Sequence, residues 1–259
     1  MLTKRIYVCE NSIECIFTGI YDAWASNYGH DNNRIQVEES NNEPETMELF
    51  SEYIHVKTDN EKAIKVANSI RTKISEEAFH MVCSAAWSSS SKKGDIIYRF
   101  LILGFSMGSK VVNHMGDQNV MMIFELQRNV TYEVHHFLGF LRFIESDGNI
   151  LLAKIKPQND VLRLIAPHFS DRLSNENFII YDEKRKSAIV HRSGYSWIYT
   201  LADHLDINKF EEYSEKEQEF TSLWQTFFDT IAIEERKNYK LQRNNAPLRF
   251  RNNMTEFNN

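Results

Sequence analysis

The residues whose side chains are best suited to bind a ligand lie near the carboxyl end, in a segment rich in arginine and lysine. Between Arg236 and Thr255 the chain has six basic residues and no acidic one, although its net charge is −6. Arginine presents paired donors that match phosphate oxygens, and interleaved aromatic rings can stack on unpaired bases. The segment therefore predicts a phosphate-binding surface. Its basic candidates are Arg236, Lys240, Arg243, Arg249 and Arg251, and its aromatic candidates are Tyr239 and Phe250.

A solvated terminus that pairs with acidic residues of the same chain would have the same composition, and composition alone does not separate the two interpretations. Pro247 restricts its own backbone and so favours an ordered turn over a loose end.

A second group lies in the sequence Pro167–Arg172. If this stretch is helical, His168 shares one face with Asp171 at i+3 and Arg172 at i+4. An aspartate that orients a histidine can create a general base, and a neighbouring arginine can hold a phosphate. No nucleophile accompanies the group, so a hydrogen-bonded cluster that braces a helix is the favoured interpretation.

A third group contains Glu133, His135 and His136. Glu133 and His136 have the i, i+3 spacing that di-iron bundles use twice, but here it occurs once. A structural or substrate-contacting role is therefore favoured over metal binding. Arg142 follows on a predicted strand and is expected at the same surface. Tyr181 begins the charged sequence YDEKR between two predicted strands, which is typical of a solvated turn.

Several large classes of enzyme are disfavoured by missing motifs. The chain has no phosphate-binding P-loop, no dinucleotide fingerprint, no nucleophile elbow and no HExxH zinc motif. No cofactor or metal is therefore predicted. The three cysteines are too few and too widely spaced for a disulfide framework. No signal peptide or membrane-spanning run is evident, so we expect a soluble, cytoplasmic protein without membrane contact.

The elements that must position these residues follow from hydrophobic periodicity. The amino-terminal half has predicted strands at 4–10, 35–37 and 53–57 and is otherwise mainly helical, with one helix that Thr58 begins with a capping box and one that Ser75 caps. Two hairpins follow: 140–145 with 150–155 across an Asp147–Gly148 turn, and 178–181 with 188–191. This order predicts an α+β fold, in which helices pack on a small antiparallel sheet built from hairpins.

A long helix is predicted from about Lys209 to Arg236. Its apolar stripe has the helical period and is interpreted as core packing that docks the basic tail on the body. The stripe contains Phe220, Leu223, Trp224, Phe227, Phe228 and Ile231. We expect an α+β core over residues 1–205, with two lobes that divide near residue 115, and a carboxyl-terminal helix and tail over 206–259.

Six segments resemble an uncharacterised bacterial family of DNA metabolism or DNA repair proteins. They are TDNEKAIKVANSIRTKIS (58–75), FLILGFSMG (100–108), YEVHHFLGFLRFIE (132–145), PHFSDR (167–172), FIIYDEKRKSA (178–188) and RKNYKLQRNNAPLRFR (236–251). The tail follows the family pattern at Leu241, Gln242, Arg243, Pro247, Arg249 and Phe250. The amino-terminal segment is a looser match, with Glu10–Ile13 where the family has an Asp-Gly-Ser-Phe turn.

The resemblance implies association with DNA base repair, next to a radical-SAM partner protein, and a related domain occurs fused to uracil-DNA-glycosylase-type proteins. It supplies no catalytic residues. The leading hypothesis is a DNA-binding accessory protein that presents damaged or unpaired DNA to the radical-SAM repair protein. One alternative is an enzyme that acts on a nucleotide or flipped base through His168 and Asp171. A second alternative is a protein–protein adapter without direct DNA contact, whose tail binds an acidic partner.

Overall fold

The computed structural model describes residues 3–38, 48–146, 149–202, 215–231 and 233–257. The chain forms two compact units, Met1–Thr131 and Tyr132–Asn259, whereas the sequence predicts a division near residue 115. The other expected boundary, near residue 205, lies outside the described residues. Each unit combines helices with a small sheet, so the expected mixture of helix and sheet is confirmed.

The first unit is built around a three-stranded parallel sheet. Its strands are β1 (Lys4–Cys9), β2 (Asn33–Val37) and β3 (Ser51–His55), in the order β2-β1-β3. β1 is paired in parallel with both neighbours, because helix α1 (Ile13–Ala25) returns the chain before β2 begins. The prediction of sheets made only from antiparallel hairpins is therefore wrong for this unit.

Four more helices follow β3. They are α2 (Asn60–Lys73), α3 (Glu76–Ala86), α4 (Lys93–Met107) and α5 (Gln118–Phe140), and α5 continues into the second unit. The expected cap at Ser75 is confirmed, since its hydroxyl accepts a hydrogen bond from the amide of Ala78 at 3.0 Å. The cap of α2 is Asp59, which accepts from the amides of Glu61 and Lys62, and not Thr58 as predicted.

Helix α4 lies very close to the sheet at Gly94. A Cβ atom at this position would come within 2.9 Å of the Ile35 carbonyl oxygen, so only glycine allows this approach. The largest fully buried side chains of the first unit come from α4 and its neighbours. They include Tyr98, Phe100, Ile97, Leu101, Ile16, Ile20, Ile35 and Ile70.

The three cysteines are free thiols, and the structure buries them to different extents. Cys9 and Cys15 are fully buried, and Cys83 is half-buried. Burial raises the pKa of the Cys83 thiol to about 11 and raises the pKa of Cys9 well above the ordinary thiol range. Because the thiolate is the reactive form, these side chains are expected to be inert near neutral pH.

We expect iodoacetamide at pH 8 to label none of the three cysteines in the folded chain within minutes, and all three in urea, as counted by mass spectrometry. Rapid native labelling of Cys83 would contradict this burial.

Cys83 keeps its proton to higher pH in the folded chain than in the unfolded one. Its contribution to stability is therefore constant below the ordinary thiol pKa of 9.0 and decreases as pH rises toward about 11.

The second unit contains a five-stranded mixed sheet. Its strands are β4 (Ile144–Ser146), β5 (Ile150–Ile155), β6 (Asn177–Asp182), β7 (Ser187–His191) and β8 (Ile198–Leu201), paired in that order. β4 and β5 are antiparallel, as are β6 and β7, so both predicted hairpins are present. The first strand is shorter than the predicted 140–145, because Phe140 still belongs to α5 and residues 141–143, Arg142 included, are not in a strand. The Asp147–Gly148 turn lies outside the described residues. β5 and β6 are parallel, because helix α6 (Leu162–Arg172) connects them.

Helix α7 (Glu215–Ile231) does not bury the apolar stripe that the sequence assigns to the core. Its contacts with the end of the chain involve Gln225, whose Nε2 donates to the Thr255 carbonyl, and Phe228, a half-buried member of the stripe whose ring meets Phe257. The predicted core role of the stripe is therefore wrong for its exposed members. These are Phe220 (66% exposed), Leu223 (58%), Trp224 (44%), Phe227 (53%) and Ile231 (56%).

Candidate nucleic-acid interface

The basic segment folds into short helices. Helix α8 (Tyr239–Asn245) begins after Asn238, whose Oδ1 accepts a hydrogen bond from the Leu241 amide at 3.0 Å. Helix α9 (Leu248–Arg251) begins after Pro247, which occupies the N-cap position and whose backbone is restricted by its ring. A 3-10 turn at Thr255–Phe257 follows. Local capping and proline thus give this segment ordered backbone.

Phe250 fixes the segment to the end of helix α5. Its ring is 1% exposed and is stacked on His136, with centroids 4.7 Å apart and planes 8° apart. The Phe137 ring meets it edge to face at 5.1 Å. Such aromatic contacts stabilise a buried ring beyond its area burial. Phe250 is therefore not available to stack on an unpaired base, contrary to the sequence-based expectation.

Glu133 is the buried carboxylate beside this aromatic cluster. It is 1% exposed, and its oxygens accept hydrogen bonds from the amides of Gln158 (2.9 Å) and Asn159 (2.8 Å) and from the Asn159 side chain (2.7 Å). Arg249 Nη1 lies 3.8 Å from Glu133 Oε1 and donates to the Gln158 side chain at 2.6 Å. Glu133 therefore holds both the loop after β5 and the start of α9.

The histidines near Glu133 do not complete a metal site among the described residues. His136 Nδ1 lies 2.6 Å from the Tyr132 carbonyl oxygen, so this nitrogen donates a proton there and has no lone pair for a metal. His135 is exposed. Within the described parts of the chain, no three histidine, cysteine or carboxylate side chains come together as a possible metal site.

Arg142 and Arg251 are engaged mainly in contacts within the second unit. Arg142 Nη1 donates to the Gly139 carbonyl at 2.9 Å, and its Nη2 lies 3.5 Å from Glu256 Oε1. Arg251 Nε donates to the Ala246 carbonyl at 3.1 Å, and its guanidinium lies over the Phe257 ring at 4.6 Å. These two arginines stabilise the path of the chain, which leaves them less free for an external phosphate.

The remaining predicted basic residues form what we call the cationic face: Arg236, Lys240 and Arg243. All three are exposed, and none makes an ion pair with any described residue. Lys240 and Arg243 are three positions apart on α8 and so share one side of the helix. Tyr239 beside them is 70% exposed. A groove of about 320 Å³ runs along this segment and is lined in part by Arg236, Lys237 and Tyr239.

The His168 group is not assembled as a catalytic pair. His168, Asp171 and Arg172 are all exposed on α6, and among the described residues no hydrogen bond or ion pair links them. The His168 ring instead contacts the buried Phe169 ring edge to face at 5.2 Å. Tyr181, also predicted as a site residue, is 6% exposed and belongs to a small core with Leu152 and Ala188.

The sequence YDEKR proves to be structural and not merely solvated. Asp182 is fully buried, and its carboxylate accepts hydrogen bonds from the amides of Lys184 and Arg185 and from the Arg185 guanidinium at 2.9 Å. Arg185 Nη2 also donates to the Gln158 carbonyl at 2.7 Å. The hairpin is thereby tied to the loop that Glu133 holds. The sequence does contain a signal for this turn, namely an aspartate at the end of a strand with an arginine three residues later.

Fold and site together define a mixed helix-and-sheet protein whose second unit carries an ordered, exposed cationic segment. The chain belongs to the family defined by a domain of unknown function, DUF4130, whose model matches residues 91–256. Glu133, His136, Phe250 and the cationic face all lie within the matched residues. Comparisons with curated proteins and with solved structures found no significant match. In the part of the chain that the structure describes, no helix has both the length and the apolar character needed to span a membrane.

Proposed function

We propose that this chain is a DNA-binding accessory protein in a DNA repair or modification pathway. The observation that supports this best is the cationic face, whose basic side chains are exposed and are not neutralised by acidic partners among the described residues. The segment 236–255 holds six of the 30 basic residues and none of the 36 acidic ones. Positive charge is thus concentrated on one ordered segment of an acidic protein, which favours a polyanionic ligand.

Exposed Tyr239 beside the groove favours unpaired DNA over a duplex. A tyrosine ring can stack on a base only when that base is free of its own stack, whereas phosphate contacts serve either form. The partner implied by the family resemblance is a radical-SAM protein, which would supply the reactive chemistry. In this proposal the chain holds the DNA, and the partner acts on it.

The test is the salt dependence of binding to a fluorescent single-stranded oligonucleotide. Replacing Arg236, Lys240 and Arg243 together with alanine is expected to weaken binding at least tenfold. The slope of log affinity against log salt should decrease by about two, since each lost phosphate contact with a single strand removes about 0.7. Fluorescence anisotropy between low and moderate salt measures both quantities.

A matched control separates this effect from a general loss of charge. Lys156, Lys184 and Arg192 are exposed basic residues of the same unit outside the basic segment. Their combined replacement with alanine changes net charge equally and is expected to leave the slope nearly unchanged. Equal effects of the two triple variants would refute a specific role for the cationic face. Tyr239→Ala should reduce the preference for single strands over duplex.

The exposed apolar stripe on α7 favours a second role as a protein–protein adapter. Five large apolar side chains exposed on one helix are unusual unless another surface covers them. The two roles are compatible, because the stripe and the cationic face are formed by different residues. No corresponding observation favours the enzyme alternative, since His168 and Asp171 are exposed and are not linked to each other.

A further inference from the structure

A cavity of the first unit lies between α1, α2 and α4. Its volume is about 490 Å³, which is within the range of small-molecule sites. Ile20 and Val66 provide apolar walls, and both are buried. Trp24 and Phe105 add two half-buried rings that meet edge to face at 5.2 Å. The cavity therefore offers aromatic surface to a ligand that enters from solvent.

One helix adds polar groups to this cavity. Lys65, Ser69 and Lys73 follow each other at four-residue intervals on α2, so they share one side of the helix, and all three line the cavity. Neither lysine forms an ion pair with a described residue. The cavity has no acidic lining residue among those described, and the nearby Asp22 is already paired with Lys62 at 2.8 Å. Two ammonium groups and a hydroxyl thus accompany an apolar, aromatic interior.

We infer that this cavity binds a small molecule with a planar aromatic body and an anionic group. The aromatic body packs against Trp24 and Phe105, because flat rings pair favourably with other rings. The anion is held by Lys65 or Lys73, with the Ser69 hydroxyl between them as a hydrogen-bond donor. An anion fits better than a neutral ligand, since it pairs with a lysine beside a surface of low polarity. This inference does not depend on the DNA-binding proposal, which concerns the other unit.

Two fluorescent probes test the inference on the full-length chain. The anion 8-anilino-1-naphthalenesulfonate and its neutral analogue N-phenyl-1-naphthylamine share an aromatic body and differ in the sulfonate. Replacing Lys65 and Lys73 with alanine is expected to raise the dissociation constant of the anionic probe about tenfold, by removing both charge partners. Binding of the neutral probe should change less than about twofold, because its apolar contacts remain.

The matched control replaces Lys57 and Lys110, two exposed lysines of the same unit that do not line the cavity. This variant has the same net charge as the first and is expected to bind both probes like the original chain. An unchanged affinity of the Lys65/Lys73 variant for the anionic probe would overturn the inference. Failure of the original chain to bind the probes would also overturn the inference. The cavity would then be explained as a docking site for an apolar segment of a partner protein.

A blocking variant locates the probe. Ser69→Phe places a ring in the cavity from a helix-surface position and is expected to abolish binding of both probes, with circular dichroism as the check on folding. Undiminished binding would place the probes elsewhere, for example on the exposed stripe of α7, and would overturn the inference. Displacement of the anionic probe by deoxyadenosine monophosphate indicates a nucleotide ligand, and displacement by indole-3-acetate indicates an aromatic carboxylate.

Discussion

Phe250→Ala is expected to lower the free energy of unfolding of the second unit by about 3 to 5 kcal/mol, as for other buried phenylalanines replaced by alanine. The substitution removes a ring that is 1% exposed and empties the space beside His136 and Phe137. Urea denaturation of the full-length chain, followed by circular dichroism, measures the loss. Hydrogen exchange should show faster exchange over 236–257, because the segment loses its main apolar attachment.

Phe227→Ala is the matched control for this experiment. Phe227 is also a phenylalanine of the carboxyl-terminal part, but it is 53% exposed on α7. Its replacement is expected to change stability by less than about 0.5 kcal/mol, as for most surface substitutions. The reverse order of the two effects would show that α7, and not Phe250, attaches this part of the chain.

Glu133→Gln is expected to destabilise the same unit by about 3 kcal/mol, although the side chain keeps its shape. The carboxylate accepts three hydrogen bonds from the Gln158 amide and from Asn159. An amide has only one acceptor oxygen, so its NH₂ group must face at least one of these donors in a buried position. Thermal or urea unfolding measures the change, with Glu125→Gln on an exposed part of α5 as the control.

The contribution of Arg249 to this site can be separated from that of the loop. Arg249 lies 3.8 Å from Glu133, and its side chain is 41% exposed, so solvent screens the pair. Arg249→Gln is therefore expected to cost less than about 1 kcal/mol. If Arg249→Gln proves as costly as Glu133→Gln, the ion pair and not the loop would be the main role of Glu133.

Local signals in the sequence predicted most elements. The pairing of 178–181 with 188–191 is present in the structure with Phe178 opposite His191 and Tyr181 opposite Ala188. Hydrophobic alternation and a short polar connection determine such a hairpin almost completely. The incorrect prediction of the capping residue of α2 also has a local cause. Thr58 and Asp59 are both good capping residues, and only the backbone geometry decides that Asp59 occupies the cap.

The candidate site was less predictable, because its decisive contacts are distant in the sequence. Spacing correctly placed Glu133 and His136 on one face of a helix, but it could not show that Glu133 holds Asn159 or that His136 stacks on Phe250. The apolar stripe of α7 illustrates the same limit. Periodicity identifies an apolar face, but it does not say whether that face meets the chain's own core or remains exposed.

The two halves of the basic segment therefore have different roles. Arg249 and Phe250 attach the segment to the rest of its unit, while Arg236, Lys240 and Arg243 remain exposed. Substitution of Phe250 should impair folding, and DNA binding only as a consequence, whereas substitution of Arg249 should change stability only slightly. Substitutions of the second set should impair binding in a chain of normal stability. Measuring both properties for each variant distinguishes attachment from ligand contact.

The stacking of Phe250 on His136 joins residues more than one hundred positions apart, which has a kinetic consequence. Contacts across long stretches of chain form slowly, whereas the β6–β7 hairpin needs only a short connection. Amide protection during refolding should therefore appear in the hairpin strands before it appears in 239–251. A protease added in that interval should remove the last helices and spare the sheet.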